Sequence, residues 1–199
     1  MITSSSSVIS TPNLSAEEIA DAAHYLEDTR DRLIESAAGL SPEQWEFKPS
    51  ADCWSIAEIT EHVVLIEQRV HAIVESMSDA PEPPVGWEQT AVDALVLREV
   101  PRRSRRFQAP VFVRPTQGWS RAEALERFFN SRERNIQLLS ASALRGHVLP
   151  HPVFGPWDGY QWLLAAGAHS LRHTEQIQEV RASVKFPQTS GAALNPALA

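Results

Sequence analysis

A chain of 199 residues, 43% of them apolar, is long enough to bury one ordinary core without covalent staples. Its formal net charge is −7 and no long segment is dominated by basic residues. This argues against a nucleic-acid surface or an anionic membrane as the main partner and leaves a small-molecule substrate as the expected one.

The single cysteine, Cys53, excludes an intramolecular disulfide framework. The first residues lack a basic stretch followed by an apolar one, and no run of about 18 apolar residues occurs, so the expected location is cytoplasmic. One domain is expected over residues 14–185, with flexible tails at 1–13 and 186–199.

In chain order, Ser15 followed by Glu18 reads as a capping box, with Leu14 and Ile19 as its hydrophobic staple. The row Ile19, Ala23, Leu26, Leu33, Ala37 and Leu40 then makes a first helix ending near Gly39. Ser41-Pro42-Glu43-Gln44 repeats the start signal, but Pro49 limits it to a short connector. Ser55 and Glu58 open the second long helix, whose apolar positions Ile56, Ile59, Val63, Ile66, Val70, Ile73 and Met77 recur at helical steps. At 100° per residue His62 lies about 60° from Ile59 and about 40° from Ile66, so it points inward beside that seam.

Residues 78–119 form a proline-rich connection of about 40 residues, far longer than a helical hairpin requires; it predicts a crossover between the second and third long helices. Within it, Thr90–Val100 reads as a short helix, Pro101–Arg106 as a solvated basic run, and Val111–Val113 as a brief extended piece. Ser120 with Glu123 opens the third long helix, where Arg132 interrupts the seam of Phe128, Ile136, Leu139 and Ala143. A buried arginine needs a carboxylate or carbonyl partner, so Arg132 is either a structural ion pair or a charge facing a ligand. Residues 144–157, containing His147 and His151, read as a loop from their glycines and prolines.

Asp158 with Gln161 caps the fourth helix, and Trp157 with Trp162 forms its staple. Its seam runs Trp162, Ala166, His169, His173, Ile177 and Val180. Two imidazoles at i,i+4 share one face and complete half of a tetrahedral metal site, and the inward His62 is the candidate third ligand. Such a set suits Zn, Ni or Fe and leaves a position open for water or substrate, which marks a catalytic site. The competing reading makes these histidines core residues hydrogen-bonded to neighbouring helices. His71 and His147 share no seam position and are expected outside any ligand set. Cys53 and the tryptophans at 45, 54, 119, 157 and 162 read mainly as packing residues.

Three stretches carry a family resemblance: Trp54-Ser-Ile-Ala-Glu58-Ile-Thr-Glu61-His62, His151-Pro-Val-Phe-Gly155-Pro, and His169-Ser-Leu-Arg-His173-Thr-Glu-Gln176-Ile. Together they resemble the DinB-like superfamily, including its YfiT-type branch, over roughly residues 14–185. The resemblance implies an all-α four-helix bundle in up-down-down-up order and a divalent metal held by His62, His169 and His173. It also implies one of two activities. Some relatives are S-transferases or isomerases that use a low-molecular-weight thiol such as bacillithiol, mycothiol or glutathione, and others are described only as metal-dependent hydrolases. Glu58, Glu61 and Glu175 are candidate bases or ligand-orienting groups, Arg132 a candidate charge in the site, and Trp162 a candidate lining residue for a bound cofactor. For Glu58 the competing role is capping. A homodimer fits the acidic surface and the habit of the family. The expected function is a metal-dependent thiol transferase or hydrolase; the alternatives are a non-catalytic metal-binding or sensing protein and a structural interaction module.

Overall fold

The computed structural model describes residues 14–104 and 107–188. The expected tail at 1–13, most of that at 186–199, and the end of the basic run at 105–106 lie outside them. Six helices dominate: α1 (Ala16–Ala37), α2 (Pro42–Glu46), α3 (Ile56–Glu75), α4 (Gln89–Glu99), α5 (Arg121–Ala141) and α6 (Gly159–Arg181). This is an all-α architecture, with one two-stranded hairpin, β1 (Leu149–His151) and β2 (Gly155–Trp157).

The helices start where the sequence supplies caps. Ser15 Oγ accepts from the Glu18 N–H at 3.1 Å while the Glu18 carboxylate accepts from the Ser15 N–H at 2.8 Å. The same reciprocal pair recurs at Ser41/Gln44, Ser55/Glu58 and Asp158/Gln161, each cap contributing about 1 kcal/mol. Ser120 departs from the expected box. Its hydroxyl accepts from the Glu123 N–H, but the Glu123 carboxylate turns to Arg127 one helical turn on, at 2.9 Å, where a full charge competes with a backbone N–H.

The four long helices enclose the core. α1 packs against α5 and α6, and α3 packs against the same two. Glu18 meets Tyr160, Leu26 lies against Gly167 and Ser36 accepts from Arg181, in register along α1 and α6. Along α3 and α5, Glu67 meets Arg132 and Asn135. Gly167 permits the close α1 approach: an added Cβ would stand 2.6 Å from Tyr25 Cε1.

The apolar core is divided in two. One cluster gathers Leu26, Val70, Leu139 and Leu163, the other Leu33, Ile59, Val63, Phe128 and Ile177. At intermediate positions of all four helices stands a polar layer. Arg132, fully buried, donates to both Glu67 oxygens at 2.6 and 3.1 Å, to Thr29 and Ser170 hydroxyls at 2.8 and 2.7 Å, and to the Leu26 carbonyl at 2.6 Å. Asn135 donates to Glu67 as well, at 2.7 Å. Arg132 is therefore the structural ion pair of the two readings, with every direction of its guanidinium committed inside the bundle.

Three further expectations are corrected. Val111–Val113 is a 3₁₀ turn closed by Val113 N–H to the Pro110 carbonyl, because no neighbouring strand offers it a ladder among the described residues. Residues 149–157, expected within a loop, form the hairpin, in which Pro150 lies opposite Pro156. Two facing prolines can occupy only a non-hydrogen-bonded pair, the one place where their missing N–H costs the ladder nothing. Residues 186–187 are docked, not loose: Phe186 meets Phe47 edge to face at 5.5 Å and the Pro187 carbonyl accepts from Gln44.

A second buried arginine went unread in the sequence. Arg145 donates to Asp93 at 2.9 and 3.0 Å, to Asp158 at 2.8 Å and to Glu18 at 3.1 Å, joining the starts of α1 and α6 to α4. Its position in a Gly/Pro-punctuated loop carries no periodic signal of burial.

Candidate metal centre

α3 and α6 pack along much of their length, and the seam positions read from the sequence bring His62, His169 and His173 together. One ring nitrogen from each lies within 4.8 Å of the others. His169 Nε2 and His173 Nε2 are 3.1 Å apart, and the ring centroids of His62 stand 5.1 and 4.9 Å from those of His169 and His173. Tetrahedral coordination with bonds of about 2.0–2.1 Å places ligand nitrogens about 3.3 Å apart, close to the 3.1 Å of the His169/His173 pair.

The outer nitrogens are directed by their own partners. His62 Nδ1 donates to the Val113 carbonyl at 2.7 Å, and His173 Nδ1 donates to Gln176 Oε1 at 2.8 Å. With the proton on Nδ1, each Nε2 lone pair is left for the cluster, the arrangement by which ligating histidines are oriented. His169 Nδ1 is buried and has no hydrogen-bond partner among the described residues. The donor set is three neutral nitrogens, and no carboxylate joins it among the described residues, which fits Zn, Ni or Fe and leaves a coordination position unfilled by protein. His62 and His173 are 5% and 6% exposed, and His169 is half-buried as a residue.

Burial sets the protonation of the cluster. It pushes His62 below the ordinary imidazole range, partly offset by the Val113 carbonyl. It pushes His169 and His173 well below, reinforced by neighbouring imidazoles and by Arg172. Metal binding requires the neutral ring, and protons compete only below a ligand's pKa. Metal affinity is therefore expected to hold steady as pH falls from 8 through the free-imidazole value of about 6.5, and to decline only at lower pH. Calorimetric titration at a series of pH values checks this; a loss of affinity centred on about 6.5 would show the rings solvated.

The remaining candidates lie elsewhere. Glu61, a candidate base, faces the connection: its carboxylate accepts from the N–H groups of Thr116, Gln117 (2.8 Å) and Gly118 (3.1 Å). Consecutive residues Glu61 and His62 thus clamp the chain from 113 to 118 across α3. Glu61→Ala is expected to free this segment, raising its amide exchange at least tenfold while the other helices keep their protection; unchanged exchange at 116–118 would count against the clamp. Glu58 is held by its cap and by Lys48 at 2.6 Å, and Glu175 is exposed. Trp162 packs on Trp157 and His151 at 5.1 and 5.4 Å. His147 Nδ1 bonds the Ala80 carbonyl and His71 faces Glu75, both apart from the cluster. Cys53 is half-buried and accepts from Ser50 Oγ.

Gln176 and the Val113 carbonyl were not singled out from the sequence. Gln176 follows His173 by three residues, a readable helical spacing; Val113 is 51 residues from His62, and nothing local announces it.

No helix among the described residues is long and apolar enough to cross a membrane. Comparison with known proteins agrees with the geometry. The chain is 27% identical over 151 residues to the uncharacterized protein YuaE of Bacillus subtilis (strain 168), covering 74% of this chain and 89% of that protein. No solved structure matches it. The family model of the DinB superfamily matches residues 25–177, well over half of the chain, and with three histidines converging between two of its long helices the protein belongs to the DinB superfamily.

Proposed function

We propose that this protein is a metal-dependent thiol S-transferase in which His62, His169 and His173 hold one divalent ion, Zn, Ni or Fe. The observation that carries the reading is the convergence of three neutral imidazoles with no fourth protein ligand among the described residues. A divalent ion held there supplies a vacant coordination position and the positive charge that deprotonates a thiol or a water. Val113 and Gln176 orient two of the rings, and burial keeps all three neutral.

Transfer from a low-molecular-weight thiol is favoured over hydrolysis by where the carboxylates are. Attack by water profits from a general base beside the ion; Glu58 and Glu61 are occupied by a helix cap and by the 116–118 backbone, and Arg132 by Glu67. A thiol bound to a metal needs no such base, because coordination alone deprotonates it. The up-down-down-up order of the long helices is the bundle this reading assumes. It is supported by the in-register pairing of α1 with α6, and by the apolar clusters, in which early α3 residues share a cluster with early α5 residues and late with late.

The test is metal-dependent consumption of glutathione, or another low-molecular-weight thiol, by an electrophile such as 1-chloro-2,4-dinitrobenzene. The loaded protein is expected to accelerate the loss of free thiol and the stripped protein to leave it at the uncatalysed rate. Equal rates with every thiol tried, together with metal-dependent ester or amide cleavage, would assign the site to hydrolysis.

A further inference from the structure

A cleft of about 220 Å³ forms where the end of the α4 region meets the tip of the hairpin. Phe107, Val153 and Phe154 line it, with Glu99, Arg102 and Ser104 as its polar lining. We propose that this cleft is the substrate subsite of the metal centre and takes an uncharged planar aromatic group of one or two rings, an inference that rests on the metal-centre reading above.

Its place over α6 follows from contacts on both sides. The Arg172 guanidinium lies 5.6 Å over the Phe107 ring and donates to the Arg102 carbonyl, and Arg172 is three residues beyond His169. On the other side Phe154 stacks with His151 at 5.2 Å, and His151 touches Trp162 at 5.4 Å. Trp162 precedes His169 by seven residues, two turns along the same face. The walls of the cleft are therefore tied to α6 on both sides of His169, the one half-buried ligand of the cluster.

The lining and the volume select the occupant. Phe107 and Val153 are 53% and 51% exposed, apolar side chains that no protein segment covers among the described residues. An apolar cavity of about 150 Å³ accommodates benzene, so the larger cleft suits one ring or a fused pair. Arg102 is paired with both Glu99 oxygens at 3.1 Å, so among the described lining residues the charges are balanced. The wall is also rigid and flat. Val153 and Phe154 N–H groups both donate to His151 Nδ1 at 3.2 Å, and the Phe154 and Trp157 rings lie 9° from parallel at 5.7 Å. His151 is thus a positioning residue for the two hairpin side chains that face the cleft.

The experiment is fluorine NMR of 4-fluorobenzyl alcohol with the full chain loaded with Zn²⁺ or Co²⁺. Wild type is expected to bind the probe, with Phe107→Ala and Val153→Asp each weakening it at least fivefold; both sites are surface-exposed, and metal content in the variants is expected to match wild type. Replacing Zn²⁺ by paramagnetic Co²⁺ is expected to broaden the bound probe's resonance, and cyclohexylmethanol is expected to compete at least fivefold less well than benzyl alcohol. Absence of probe binding, or equal affinity in both variants, would overturn the subsite. Variant-sensitive binding without broadening by bound Co²⁺ would separate the cleft from the metal centre, and equal competition by cyclohexylmethanol would remove the aromatic preference. A wild-type chain that takes up neither ion would instead remove the metal-centre reading, and this inference with it.

Discussion

His169→Ala is expected to abolish stoichiometric binding of a divalent ion while leaving the helical bundle folded. Two candidate ligands would remain, His62 and His173, and a two-histidine remnant that no carboxylate joins among the described residues lacks the three protein ligands usual in catalytic zinc sites. The fold has other supports: four reciprocal capping boxes, two apolar clusters and the Arg132 and Arg145 networks are all independent of His169. Removing the imidazole also removes an orphaned buried nitrogen, which offsets part of the lost packing. Far-UV circular dichroism should stay helical and denaturant unfolding cooperative, while metal analysis falls from about one ion per chain, as expected of a single three-ligand site, to background. Both proteins must be compared stripped of metal, since an ion at 100 times its Kd stabilises the native state by about 2.7 kcal/mol through mass action alone. An unfolded variant would make the site structural. Full loading would restore the reading of His169 as a core histidine.

The largest expected loss of stability follows Arg132→Leu. That change leaves the Glu67 carboxylate buried with only Asn135 donating to it, and leaves Thr29 and Ser170 without their charged donor. Breaking a buried pair by removing one partner costs about 3–5 kcal/mol, a large share of a domain stability of about 5–15 kcal/mol. The double variant Glu67→Leu with Arg132→Leu is expected to be more stable than Arg132→Leu alone, because it no longer buries an uncompensated charge. Urea unfolding of the four proteins of this cycle, all free of metal, gives the coupling directly. A single variant within about 1 kcal/mol of wild type would place the pair in contact with water, contrary to its complete burial.

The helices and the histidine positions were legible in the sequence because both depend on local periodicity. Ser15/Glu18, Ser55/Glu58 and Asp158/Gln161 are each three residues apart, within the reach of one turn, so their pairing needs no knowledge of the fold. The i,i+4 spacing fixes His169 and His173 on one face, and the angular place of His62 follows from the seam of its own helix. The inward direction of both faces raised the expectation that they meet, and the family resemblance implied the same.

What only the tertiary structure decided is which groups meet across long separations in the chain. Arg132 in the sequence read first as an ion pair and second as a ligand-facing charge, but its partner was not legible there; Glu67, arriving from α3, supplies it. Glu61, adjacent to a candidate ligand and on that ground a candidate base, is committed to the backbone of 116–118, whose open N–H groups form only when the connection folds over α3. His151 and Phe107 come from different segments, and their neighbourhood over α6 depends on the hairpin and on Arg172. Periodicity constrains a residue's direction about its own axis; the partner in that direction depends on how the axes pack, and no local spacing encodes it.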